Sequence, residues 1–352
     1  MWIAVLGMHR SGTSAIAGIL QTLGYQFGET KQALEPTTAN PKGYWERQDV
    51  MEVNDGLLAR QGCAWDQLTR FQVNGWQDFR DSPLEERMRR ILAELDGQPA
   101  GFIKDPRLCL TLPVWARITP PALLIWVRRS PPAVARSLHA RKDCSVAAGL
   151  ALWEVYEHAI QTWSQNLPTL QVHFENFQAD PWGETQALAS ALQRLGIPLS
   201  AQPDSQAISC WFEPELIRNT SFADASFLSP PDHLLSYQTF PAREISGLPP
   251  PPPLSAFARE HLSYHEKTVC PLVAKASQLE LRHGAAAARV EQLEDRLNRL
   301  MKAEDAFAQS RLWRTMRRLH RLGCWMTGRT GALHPMDKIH AVLHEEARPT
   351  DP

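Results

Sequence analysis

The run "VLGMHRSGTSAIAGIL" at residues 5–20 constrains the fold more than any other stretch of the chain. Residues 2–7 are short, apolar and ended by Gly7, as a buried strand is. Residues 12–24 carry apolar side chains at helical spacing and close at Gly24. A strand that passes through a Gly-bounded polar loop into a helix is the layout of a phosphate-binding loop. The pattern G-x-x-x-x-G-K-[ST] nearly fits Gly7 to Ser14, except that Thr13 stands where a nucleoside triphosphatase carries Lys. Thr cannot reach the outer phosphates of a triphosphate. What is left still makes an anion site: Gly12 allows close backbone approach, successive N–H groups converge, and the helix points its positive end at the ligand. Ser11, Thr13 and Ser14 add hydroxyls, and Arg10 restores a cation two residues before Gly12. An ordinary strand–turn–helix junction is the plain alternative.

The rest of the first 200 residues repeats the alternation. Helical spacing covers 47–62, with apolar positions at Val50, Val53, Leu57 and Leu58, and again 83–96. "AGFIKD" at 100–105 reads as a strand, "LCLTLPVWARI" as a short helix broken by Pro113, and "ALLIWVRR" at 122–129 as a buried strand. Helices follow at 132–142 and 146–165, a strand at 170–177 ("LQVHFENF"), and a helix at 184–196. Strands separated by helices imply an α/β fold, a P-loop-type parallel sheet flanked by helices. Beyond residue 200 the pattern weakens. "LPPPPPLS" reads as a stiff linker, which divides the chain into a domain at 1–245, a linker at 246–255, a helical extension at 256–328 and a tail at 329–352. Val290, Leu293, Leu297 and Leu300 have coiled-coil spacing for two heptads only, with Gly284 before them, so a packing helix or helical hairpin is expected.

The formal net charge of −1 excludes a global pull toward nucleic acid, and no nucleic-acid module is recognisable. Six scattered cysteines form no CxxC pair and no tight Cys/His set, so free thiols and no metal are expected. "MWIAVLG" lacks the basic and apolar regions of a secretory signal and no stretch has transmembrane length, so a cytoplasmic location is expected.

A second basic station lies at "WVRRSPPAVARSL". Arg128 and Arg129 end a strand, Ser130 is placed to cap the next helix, and Ser137 faces back along it. Arg129 and Ser137 are therefore candidates to grip a phosphate at the carboxyl edge of the sheet. Two such stations imply a ligand with phosphates at both ends of a nucleoside.

"HRSGTS" together with "VRRSPPAVARS" resembles the sulfotransferases that use PAPS (3′-phosphoadenosine 5′-phosphosulfate). "NPKGYWERQDV", "IKDPRLCLTLPVW", "ALWEVYEHAI" and "VHFENFQADP" follow in the order seen in bacterial members of that family. The resemblance covers about residues 1–215. It implies that His9, Arg10, Ser11, Gly12, Thr13 and Ser14 hold the 5′-phosphosulfate and that Arg129 and Ser137 hold the 3′-phosphate. It implies transfer of a sulfuryl group to an acceptor hydroxyl or amine, with no metal required. Arg10 stands where many relatives have a catalytic Lys.

Sulfuryl transfer, like phosphoryl transfer, depends on positioning and charge stabilisation. Arg10 is the first cation for the leaving oxygen and Lys104 in "KDPR" the second, with Asp105 and Arg107 as neighbours that orient it or bind acceptor. For the general base, Glu46 in "GYWE" comes first, Glu29 in "FGET" second and His9 third. Trp45 is either a sugar-stacking wall or a core residue. Trp153, Tyr156 and His173 read as packing or structural residues. The segment 306–328, with "SRLWRTMRRL", is basic and apolar, suited to docking, to a partner or to a membrane's inner face. That string also resembles one in bacterial glycan-assembly proteins, which points to a carbohydrate or lipid-linked glycan acceptor. The competing readings are an ATP-dependent P-loop kinase and a non-catalytic scaffold acting through its C-terminal helices.

Overall fold

A computed structural model describes residues 1–28, 33, 45–76, 82–96, 101–141, 144–212 and 230–272, and scattered residues from 274 to 299. Strand β1 (Trp2–Leu6) leads into α1 (Thr13–Thr22), and α2 (Gln48–Arg60) and α3 (Pro83–Asp96) precede β2 (Gly101–Lys104). Then come α4 (Leu108–Ile118), β3 (Leu123–Arg128), α5 (Pro131–Ala140), α6 (Val146–Trp163) and β4 (Thr169–His173). After them follow α7 (Phe174–Ala179), α8 (Pro181–Arg194), α9 (Ser205–Ser209), α10 (Asp232–Leu235), β5 (Arg243–Ile245) and α11 (Ala256–Tyr264).

The five strands lie in the order β2-β1-β3-β4-β5; the first four are parallel and β5 pairs antiparallel with β4. Alternation along β1 sorts its side chains to two faces. Trp2, Ala4 and Leu6 join a core with α2 to α6 and α11, while Ile3 and Val5 join the other core with α1, α7 and α8. The α/β reading therefore holds, as a sheet covered on both faces. The register Val5↔Lys104 and Leu6↔Trp126 brings the carboxyl ends of β2, β1 and β3 level with the loop at residues 7–12.

Two expectations are corrected. Pro113 does not break α4, which runs through it. The carbonyl four residues earlier, Cys109 O, lacks its helical donor and instead accepts from Trp163 Nε1 at 2.9 Å, which removes much of proline's cost. The strand read as 170–177 ends at His173, because its partner β3 ends at Arg128, opposite His173. Without a ladder to join, "FENFQA" turns into α7, and Asp180 caps α8 by accepting from Gly183 N at 2.9 Å. The short strand β5 was not foreseen; three residues at a sheet edge carry too little periodicity to read.

The chain divides into two compact units, Met1–Pro271 and Leu272–Pro352. The proline-rich stretch and residues 256–271 fall inside the first unit. Ser255 caps α11 through Ala258 N at 3.0 Å, and Glu154 of α6 accepts from both Ser255 N and Ser255 Oγ, at 2.5 and 2.8 Å. Ala258 and Leu262 are buried beside α6. The heptad residues Val290, Leu293, Leu297 and Leu300, with Gly284, the basic segment 306–328 and the tail 329–352, lie outside the described residues. Among the described residues no helix is long and apolar enough to cross a membrane.

Candidate functional site

The loop between β1 and α1 has the strain of a ligand-holding turn. Gly12 sits at φ 86, ψ 11, and a Cβ there would lie 2.1 Å from Cδ2 of Phe174. Gly12 is thus required twice, by backbone conformation and by the aromatic ring laid over it. Arg10, with φ 70, also occupies the left-handed region, which an L side chain enters at a cost. Ser11 N donates to Met8 O at 3.0 Å and closes the turn. The ten-residue α1 starts at Thr13 with no side-chain cap, so its first-turn N–H groups point toward the loop's concave side. Thr13 is only 4% exposed and packs its methyl by Gly7, so the position that carries Lys in triphosphatases points inward. Ser11 is also buried, while Ser14 is partly exposed.

The two cations flanking this loop go to different places. Lys104, at the end of β2 and 3% exposed, donates to Ser14 Oγ at 2.9 Å and meets Glu46 Oε1 at 2.5 Å. The mouth of the phosphate loop thus receives Lys104 and Glu46 together. Arg10 instead turns to the second station: its Nε donates to Ser137 Oγ at 2.9 Å, while Arg129 Nη1 donates to Arg10 O at 2.9 Å. The two motifs, 127 residues apart at this bond, form one continuous site rather than two separate ones. Arg129 is 8% exposed and stacks its guanidinium 5.0 Å from the Phe174 ring. Among the described residues no carboxylate pairs with it. Burial chiefly, aided by the nearby Arg10 and Arg136 and opposed by Glu175, pulls its pKa down to about 10. An uncompensated buried cation is costly, and among the described residues Arg129 has no ionic partner to offset that cost.

His9 packs at 4.5 Å on Trp65, with the edge of Tyr156 at 6.0 Å, and its buried Nε2 has no hydrogen-bond partner among the described residues. Burial, then Arg107 and Lys104, holds it well below the usual imidazole range, so it is neutral at pH 7. Asp105 is fully buried and raised to about 6, by desolvation first and by Glu46 in part, against the pull of Arg107. Arg107 ties Asp105 at 3.2 Å and Asp55 at 2.6 Å. Glu46 is anchored by its neighbour Arg47, 3% exposed, which grips Asp49 and Glu94, each at 2.8 Å. Trp45 stands edge-on to Phe27 at 5.4 Å and Trp211 at 5.6 Å, with a buried Nε1 that has no hydrogen-bond partner among the described residues.

Glu29 lies outside the described residues. Trp153 and Tyr156 are packing residues, the first donating to Arg129 O at 3.1 Å and the second to Trp65 O at 2.9 Å. His173 is fully buried against Tyr237, with its Nδ1 2.6 Å from the hydroxyl. Sequence reading missed Phe174, which links Gly12 to Arg129, because "VHFENF" alternates like a strand. It also missed Trp65 over His9. The flat ring that an obligatory Gly admits was the available signal for Phe174; for Trp65 there was none.

With this geometry in place, comparison with known proteins is informative. A profile described as "Sulfotransferase family" matches residues 3–200, more than half of the chain. Seven chains of known structure match. One is the "Sulfotransferase Domain from the Synechococcus PCC 7002 Olefin Synthase", at 16% identity, with a TM-score of 0.36, covering 75% of this chain and 94% of that one. No curated protein sequence matches significantly.

Proposed function

This chain belongs to the sulfotransferase family, and on that premise we propose that it moves a sulfuryl group from PAPS to a hydroxyl or amine of an acceptor, a glycan or lipid-linked saccharide. The observation that carries the donor reading is Arg129: buried, without a carboxylate partner among the described residues, and joined through Arg10 to the phosphate loop. The residues fit a bisphosphorylated nucleoside. In this reading Arg129, Arg10 and Ser137 hold its 3′-phosphate. The uncapped N-terminus of α1, with His9, Ser11, Gly12, Thr13 and Ser14, holds the 5′ end.

When bound, the donor supplies a sulfuryl group on an anhydride oxygen. Lys104, fixed by Ser14 and Glu46, places its charge where that oxygen gains charge, a role first expected of Arg10. Arg10 in this assignment positions the nucleotide. Glu46 takes the acceptor's proton as the new S–O or S–N bond forms and the old S–O bond breaks. Trp45, beside Phe27 and Trp211, offers an aromatic wall on the acceptor side, which supports a carbohydrate. We place the protein in the cytoplasm, supported by Cys63, Cys109 and Cys270 being thiols rather than disulfides.

Calorimetric titration with adenosine 3′,5′-bisphosphate, beside ATP-Mg, tests the donor. The bisphosphate is expected to bind and ATP-Mg not to compete. Arg129→Ala removes charge-assisted hydrogen bonds worth about 1.5–3 kcal/mol, an affinity loss of roughly 10- to 150-fold. Binding of ATP-Mg alone would replace this reading with a kinase. Binding of neither would leave a scaffold role for the C-terminal helices.

A further inference from the structure

A cluster far from the donor chemistry in sequence assembles at the end of α11. The backbone departs from the α-helix there: His265–Val269 forms a π-turn, closed by Cys270 N donating to His265 O. In an α-helix, residues five apart point about 140° away from each other. The i→i+5 hydrogen bond of the π-turn unwinds the helix and brings the two side chains to one face; such turns gather at functional sites. Asp66 joins them from the tight turn at Ala64–Gln67 that follows α2. One ligand atom from each of Asp66, His265 and Cys270 lies within 4.8 Å of the others.

The imidazole carries the second, independent observation. His265 is 1% exposed, and among the described residues neither of its ring nitrogens has a hydrogen-bond partner. A buried polar atom in that condition is costly and asks for a ligand. Its Nε2 stands 3.7 Å from Asp66 Oδ2. That is too long for a hydrogen bond, and close to the edge of about 3.3 Å between two ligands bound tetrahedrally at about 2.0 Å. The frame around the three is already braced: Glu266 accepts from Thr69 N at 2.6 Å and from Thr69 Oγ1, which pins the π-turn to the segment after Asp66. Asp66 and Cys270 are partly exposed, so an ion can enter from solvent.

We propose that Asp66, His265 and Cys270 bind one divalent transition-metal ion of the zinc class. A thiolate, an imidazole and a carboxylate suit zinc or cobalt better than magnesium or calcium, which prefer oxygen. Three protein ligands leave a fourth position for water. The thiolate and carboxylate together carry two negative charges and neutralise the ion. Cys270 gives up its thiol proton to solvent as the S–metal bond forms, and no oxidation is involved. The ion ties the end of α11 to the turn at Asp66. The preceding residue, Trp65, packs on His9 of the phosphate loop, so the clamp braces one wall of the donor site. The pair was invisible in sequence because a His-x4-Cys spacing puts the ligands on different faces of an ordinary helix.

The test uses the full chain, stripped with a chelator and titrated with Co²⁺. One ion per chain is expected, with a sulfur-to-cobalt charge-transfer band in the near ultraviolet and visible bands of tetrahedral intensity; Zn²⁺ displaces it. Cys270→Ser is expected to abolish the charge-transfer band and weaken Co²⁺ binding by at least about 100-fold, the scale on which metal sites respond to loss of their support. Cys63→Ser should change neither. Failure of the folded wild-type chain to take up Co²⁺ stoichiometrically overturns the proposal whatever the variants do, as does a charge-transfer band that survives Cys270→Ser. Neither readout depends on nucleotide binding, so this inference and the donor assignment can fail separately.

Discussion

Gly12→Ala offers the sharpest check on the site's construction. The change has two costs that can be separated. The first is conformational: at φ 86 a Cβ meets the backbone, costing about 1–2 kcal/mol. The second is steric: the new methyl would lie 2.1, 2.5 and 2.6 Å from three carbons of the Phe174 ring. Forcing an extra carbon into such a contact costs about 1–3 kcal/mol. Together the variant should lose about 2–5 kcal/mol in urea unfolding followed by tryptophan fluorescence. In a Phe174→Ala background only the conformational part remains, about 1–2 kcal/mol. The double-mutant cycle should therefore show a coupling of about 1–3 kcal/mol. Equal costs in the two backgrounds, within about 0.5 kcal/mol, would refute the claim that Phe174 is what demands glycine here.

Three further outcomes follow from the same geometry. Lys104→Met should lower the rate of sulfuryl transfer about 10²- to 10³-fold while leaving bisphosphate affinity nearly unchanged, and Glu46→Gln in the same chain should recover stability lost by stranding the carboxylate. Arg47→Met removes a buried guanidinium between Asp49 and Glu94 and should destabilise the chain by about 3–5 kcal/mol in denaturant titration; Arg47→Lys should not rescue it, since one ammonium cannot fork to both carboxylates. His173 is held neutral by burial, its pKa down to about 4 from 6.5. On acidification through that window the unfolded chain takes up a proton that the native chain refuses, so stability falls. Relative to His173→Gln, the wild type should lose about 3 kcal/mol between pH 7 and pH 4. Asp105, raised to about 6, works in the opposite direction in both proteins and drops out of that difference.

Local order carried much of this protein into view from the sequence alone. Four parallel strands, their crossover helices and the phosphate loop are all expressed in runs of neighbouring residues, where period, glycine and the missing Lys at Thr13 can be read directly. Candidate site residues could also be picked by type, since charged and hydroxyl groups at strand ends have few structural uses. Their pairing could not. Arg10 and Lys104 were both expected near the leaving oxygen; the structure bonds Arg10 to Ser137 and Lys104 to Ser14 and Glu46. Which cation reaches which station depends on how β2, β1 and β3 are registered, a contact between segments about 60 to 130 residues apart that no local pattern encodes. Phe174 over Gly12 and His265 beside Asp66 have the same origin. Sequence periodicity determines which face an element buries; only the packed sheet and its helices decide which side chains from distant elements meet across it.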